Sequence, residues 1–126
     1  MSAIAVSKAV RSSPRKVGVV AALVRGRSVD DAITILEHTP RRSALAIKDT
    51  IKSAAANAEH NHSYKPGTLV ITEISVTPDV RYKRYRPVYR GMAHKFQRKT
   101  SQIRVVVDGE KRQPKKPASV AGGEKK

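Results

Sequence analysis

The chain has no cysteine and no tryptophan, a single phenylalanine, and ten acidic residues against 26 lysines and arginines. Each shortage excludes something. Without thiols there is neither a disulfide framework nor a thiolate metal site, which fits a reducing, cytoplasmic setting. With no tryptophan and only 39% hydrophobic residues in a chain of 126, the core must be small and aliphatic. No apolar run approaches the ~20 residues needed to cross a bilayer. Met1 to Val10 has no basic stretch ahead of an apolar one and carries Lys8 within it, so no secretory leader and no membrane partner is expected. The scarcity of acids also thins out catalysis. Asp30-Asp31, the adjacent acidic pair, is accounted for by a helix dipole rather than by general acid–base work. No glycine loop followed by Lys-Ser or Lys-Thr is present to cradle a phosphate. His60-Asn61-His62 is the one histidine cluster, and His38 and His94 lie in other elements, too scattered for a set of three or four metal ligands. Ser13 near Lys16 reads as a helix cap, not as a nucleophile and its base. No enzyme, metal or cofactor is therefore expected.

Positive charge is what the chain has in excess. Formal net charge is +16, which implies strong self-repulsion unless a polyanion is bound. Between Asp79 and Asp108 stand Arg81, Lys83, Arg84, Arg86, Arg90, Lys95, Arg98, Lys99 and Arg104 with no acid among them. Tyr82, Tyr85, Tyr89 and Phe96 lie in the same block. Phosphates neutralise such charge, while aromatic and guanidinium faces stack on unpaired bases, so the block points to nucleic acid and to RNA before DNA. A merely solvated charge run is the plainer alternative, but strand-like sequence flanks the block on both sides.

The elements can be read in outline. Ile4, Val6 and Val10 alternate with Ala5, Ser7 and Ala9 as in a strand. Ser13-Pro14 opens a first helix, with the serine hydroxyl as cap and the proline at a position that needs no N–H. Val17, Val20, Ala21 and Val24 follow at helical spacing, and Gly26 stops it. A second helix starts at Ser28, with Asp30 and Asp31 at the positive end of its dipole, and ends near Thr39-Pro40. Pro40 opens a third and longest helix, through about His60, with Ala44, Ile47, Ile51, Ala54, Ala55 and Ala58 as its buried stripe. Tyr64-Lys65-Pro66-Gly67 suits a type II turn. Leu69 to Thr77 and Ile103 to Val107 are β-branched runs whose pairing makes a hairpin. From Thr68 to Pro87 this hairpin would reach about 65 Å if fully extended at ~3.3 Å per residue. The expected organisation is one domain over 1–107, an extended arm at 80–102, and a disordered basic tail over 108–126.

Arg11, Arg15 and Lys16 gather around Ser13-Pro14, where a helix start offers unpaired N–H groups to phosphate. These, with Ser13 itself and the basic block from Arg81 to Lys99, are the candidate contacts.

Five segments in order carry a resemblance: Ser13-Pro14-Arg15-Lys16-Val17, Leu23-Val24-Arg25-Gly26-Arg27, Lys52-Ser53-Ala54-Ala55-Ala56-Asn57-Ala58-Glu59-His60-Asn61, Lys83-Arg84-Tyr85-Arg86-Pro87, and Lys99-Thr100-Ser101-Gln102-Ile103-Arg104-Val105-Val106-Val107. Together they resemble large-subunit ribosomal protein number twenty-two in its bacterial form, over roughly Val10 to Val107. The resemblance implies an α+β fold, β-α-α-α-β-β, with three helices packed on a three-stranded antiparallel sheet and a long β-hairpin. It implies a structural constituent of the large ribosomal subunit that binds 23S rRNA and supports assembly, with a hairpin tip lining the nascent-peptide exit tunnel. Large-subunit protein number four, at the tunnel constriction, would be a neighbour, the nascent peptide a passing partner, and no homo-oligomer is expected. On the matched motifs, Arg25, Arg27, Thr100 and Ser101 join the rRNA-binding set. The tip would be Val88, Tyr89, Arg90, Gly91, Met92 and Ala93. There the family usually carries Arg-Ala-basic-Gly-Arg-Ala, so a valine, a phenol and a thioether stand in this chain's tip, two positive charges fewer. Gln102 likewise stands where the family has histidine.

Two other classes fit the composition less well. A regulatory factor acting on nucleic acid away from the ribosome would need a helix pairing an arginine row with a dimer seam, and none is visible. A membrane-active polycation would need its basic block to be helical in pattern, and it is not.

Overall fold

The computed structural model describes residues 1–113. Along the chain run β1 (Ala3–Val10), α1 (Pro14–Val24), α2 (Val29–His38), α3 (Arg42–Asn61), β2 (Val70–Pro87) and β3 (Ala93–Asp108), with 3-10 turns at Pro66–Thr68 and Tyr89–Gly91. The fold is α+β in the expected order. β3 lies in the middle of an antiparallel sheet of order β1-β3-β2. Its Ile103, Val105 and Val107 are fully buried, as a strand hydrogen-bonded on both sides and covered by helices requires. Val17, Val20, Ala21 and Val24 of α1 and Ile47, Ile51, Ala54 and Ala58 of α3 close the same core.

Several local expectations are met for the expected reasons. Gly26 ends α1 at φ +77, a left-handed conformation that costs a glycine nothing. Ser28 caps α2: its hydroxyl accepts from the Asp31 N–H at 3.4 Å and donates to the Asp31 carboxylate at 2.8 Å. Tyr64, read from the sequence only as part of a turn, is buried, and its O–H donates to the Met1 carbonyl. Desolvation, with the nearby Asp108 charge adding to it, raises its pKa above the ordinary 10.0.

Other features were not assigned from the sequence, or differ from its reading. β1 turns its alanines inward: Ala3 and Ala5 are buried, whereas Ile4 and Val6 are 42% and 44% exposed. α3 packs against β1, with the Asn57 amide donating to the Ile4 carbonyl, and the buried face of that helix includes the small residues Ala54 and Ala58. Ser13 holds the cap position of α1, but its side chain makes no capping bond; its backbone carbonyl accepts from the Lys16 and Val17 N–H groups instead. Pro40 precedes α3 by two residues rather than opening it. The segment at Pro66-Gly67 is a 3-10 turn, closed by Thr68 N–H to the Lys65 carbonyl at 3.2 Å, and Gly67 is not among the glycines with positive φ. Following β3, Glu110 accepts from the Lys65 N–H at 2.8 Å and Arg112 donates to the Ser63 carbonyl at 2.7 Å. The remainder of the expected tail, 114–126, lies outside the described residues.

Candidate nucleic-acid interface

The two β-branched runs and the basic block between them form two continuous strands, paired from Val70↔Asp108 out to Pro87↔Ala93. The seven outermost pairs, Arg81↔Lys99 to Pro87↔Ala93, project past the body as an arm about 23 Å long at ~3.3 Å per residue. Its end is closed by Val88 N–H to the Met92 carbonyl at 2.9 Å and Met92 N–H to the Tyr89 carbonyl at 3.2 Å. The reversal needs left-handed backbone at two successive residues, Arg90 at φ +55 and Gly91 at φ +68. Tyr89 and Met92 are 71% and 56% exposed.

At its root the arm is pinned to the body through two facing irregularities. β1 breaks register between Ser7 and Val10, with Ala9 at φ +55, and β2 breaks register between Pro78 and Arg81. The Asp79 carboxylate spans the two by accepting from the Ala9 N–H at 2.8 Å. Thr100 donates to the Val80 carbonyl at 2.5 Å on the other side. Asp79→Ala is therefore expected to cost about 1 kcal/mol, the worth of one such bond. It should also speed amide exchange selectively at 80–82 and 99–101. Unchanged exchange at those residues would show that Asp79 does not hold the root.

Beside the root lies an open groove of ≈ 1170 Å³, and here the candidate residues come together. Arg11, Ser13 and Lys16 enter it from the start of α1, Arg84, Arg98 and Lys99 from the arm, and Arg41 and Arg42 from the start of α3. Tyr82 supplies an aromatic wall, and among the described residues no acidic one lines the groove. Two helix N-termini thus open onto one space, each presenting the positive end of a dipole. At α1 the first residue is Pro14 and the Lys16 and Val17 N–H groups are bonded to the Ser13 carbonyl, so dipole and side-chain charge face the groove there. A smaller hollow of ≈ 260 Å³ on the other flank of α1 collects Arg15, Arg81 and Lys99, so the start of α1 straddles the root of the arm.

Electrostatics argues that this arrangement is for a ligand. Cations near a helix N-terminus are unfavourable by roughly 0.3–1 kcal/mol each. α2, away from the groove, carries acids there, Asp30 and Asp31. α1 and α3 have no acid in the first turn and place Arg15, Lys16, Arg41 and Arg42 at their starts instead. The helices that meet at the groove give up stability to concentrate positive charge.

Arg41 and Arg42 line the groove and are the candidate residues that the sequence reading did not name. Their signal was present, two arginines following Pro40 at a helix start with no compensating acid.

Some expected contacts sit elsewhere. Arg25 donates to the Ile74 carbonyl at 2.9 Å and Arg27 to the Leu23 carbonyl at 3.0 Å, at the far end of α1, about 16 Å from the groove at 1.5 Å per residue. Ser101 is fully buried in the body, while Thr100, 3% exposed, borders both the groove and the smaller hollow with its hydroxyl donating to the Val80 carbonyl. Arg86 and Lys95 lie farther out on the arm, and Arg90 at its tip. His62 stacks on Tyr64 at 6.0 Å between ring centroids, and among the described residues no three His, Cys, Asp or Glu side chains gather as a metal site would need. No helix among them is long and apolar enough to cross a membrane.

Comparison with known proteins agrees over the whole of this architecture. The profile of the family described as ribosomal protein L22p/L17e matches residues 5–108, which include the groove and the arm. The chain is 45% identical over 111 residues to large ribosomal subunit protein uL22 of Oceanobacillus iheyensis, covering 88% of this chain and 98% of that one. It is 45% identical over 107 residues to the proteins of the same name from Clostridium tetani and Clostridium perfringens, covering 85% of this chain and 96% of each of those.

Proposed function

Because the chain belongs to the ribosomal protein L22p/L17e family, we propose that it is a structural constituent of the large ribosomal subunit that grips 23S rRNA through its groove and arm. Binding would support subunit assembly, and the tip, Val88 to Ala93, would line the nascent-peptide exit tunnel beside large-subunit protein number four. The observation that carries this reading is the groove, where two helix N-termini and an acid-free set of lysines and arginines face one open space. Such a site takes phosphates. Arg11, Lys16, Arg41, Arg42, Arg84, Arg98 and Lys99 would hold the rRNA backbone there, Arg15 and Arg81 would do so on the other flank, and Lys83, Arg86 and Lys95 along the arm. Ser13 would contribute through the helix start it caps rather than through its hydroxyl.

Anchoring and tunnel shaping should then be separable. The tip has Arg90 as its one charge, while Tyr89 and Met92 present adaptable apolar and stacking surface. Tyr89→Ala is expected to enter large subunits at near-normal levels on sucrose gradients and to change a tunnel property, such as stalling by particular nascent peptides. Lys83→Gln with Arg84→Gln is expected to do the reverse, with poor incorporation. A Tyr89→Ala defect in incorporation as deep as that of the double variant would refute the division.

A further inference from the structure

We infer that the arm is two-sided, and that its arginine–aromatic side is a stacking surface for unpaired nucleotides of RNA. This rests on the RNA-binding reading above and goes beyond it in naming which face reads which form of RNA. The strand register sorts the side chains. Residues paired across an antiparallel ladder share a face, and successive pairs alternate. Tyr82↔Arg98, Arg84↔Phe96 and Arg86↔His94 therefore stand on one side, and Arg81↔Lys99, Lys83↔Gln97 and Tyr85↔Lys95 on the other. The first side has only arginines as its permanent cations; the second has three lysines and one arginine.

The arginines on the first side already lie over the aromatic rings, at cation–π distance. The guanidinium of Arg84 lies 5.6 Å from the centre of the Tyr82 ring, and those of Arg86 and Arg98 lie 5.4 and 5.7 Å from the centre of Phe96. Arg84 is further held by donating to the Lys83 carbonyl at 3.1 Å. Phe96 is half-buried on an arm with no core of its own. A guanidinium resting on a ring keeps its outer plane and its N–H edge available, is weakly hydrated, and has lost its rotamer freedom before any ligand arrives. A base can stack on that plane. An ammonium has no plane and acts as a point charge, which suits phosphates. Duplex RNA keeps its bases inside the helix, so the stacking side gains only from unpaired nucleotides. Tyr82, Arg84 and Arg98 also line the groove, so the surface opens directly into the phosphate site.

The test uses the full chain, fluorescence anisotropy, and two probes, a single-stranded oligoadenylate and an RNA duplex of matched length. The triple variant Arg84→Lys, Arg86→Lys, Arg98→Lys conserves charge and removes the planes. With an unchanged melting temperature, it is expected to lose about tenfold in affinity for oligoadenylate and to stay within about twofold on the duplex. Its salt dependence should match the parent's. Lys83→Gln with Lys95→Gln, on the opposite side, should weaken both probes alike and lower the salt slope by about 1.5. Equal loss on both probes from the arginine triple would make those side chains ordinary charges and overturn the inference. So would a selective loss of oligoadenylate from the lysine pair. A parent protein that binds neither probe with salt dependence would instead sink the RNA-binding reading itself.

Discussion

Replacing Lys16, Arg41 and Arg42 with glutamine is expected to weaken rRNA binding by about 1000-fold or more and to raise the melting temperature rather than lower it. The two effects have one cause. The side chains stand at the starts of α1 and α3 and line the groove, so in the unbound protein they oppose two helix dipoles and one another. Neutralising them relieves roughly 0.3–1 kcal/mol per site. In the proposed complex the same groups would each neutralise a phosphate, with charge-assisted hydrogen bonds worth about 1.5–3 kcal/mol, and their loss should lower the salt slope by about 2–3. Filter binding across a salt series and a thermal melt measure both. A fall in affinity accompanied by a fall in stability would mean that the three cations are structural. Unchanged affinity would remove the groove from the interface.

Ile47→Ala is expected to have the largest effect on the fold. Ile47 is fully buried on α3, where the helix meets the sheet and α2. Its truncation should cost about 3 kcal/mol, within the 2–5 kcal/mol range for buried isoleucine-to-alanine changes. A domain of this size has about 5–15 kcal/mol in all, and self-repulsion at a net charge of +16 draws on the same margin. Urea unfolding at fixed salt should show a lower midpoint with an unchanged slope. Saturating rRNA should restore much of the loss, because binding to the folded state shifts the equilibrium by mass action. A cost under about 1 kcal/mol would indicate that the aliphatic core is loosely packed around α3.

Much of this was legible in the residues, for local reasons. Ser28 with Asp31, Gly26 after Val24, and the stripe of Ala44, Ile47, Ile51, Ala54 and Ala58 mark the helices through capping, left-handed backbone and periodicity. The arm was visible as a basic block between two β-branched runs, and it continues both strands. What was hidden depends on tertiary approach. Alternation alone cannot tell which face of β1 is inside, and it is the alanines that are buried. The burial of Ser101 follows from β3 being central, which a list of strands does not reveal. The groove itself joins residues near positions 11–16, 41–43 and 82–100, and only the packing of α1 and α3 beside the arm brings them together.

A cryo-EM reconstruction of the large subunit containing this chain tests the central claim most directly, because it displays the groove and the arm against whatever fills them. The expected density is rRNA backbone inside the groove, with phosphates within hydrogen-bonding distance of Lys16, Arg41 and Arg42, and rRNA continuing along the arm toward a tip at the tunnel wall. A groove open to solvent, or filled by another protein chain while the arm alone touches rRNA, would contradict it.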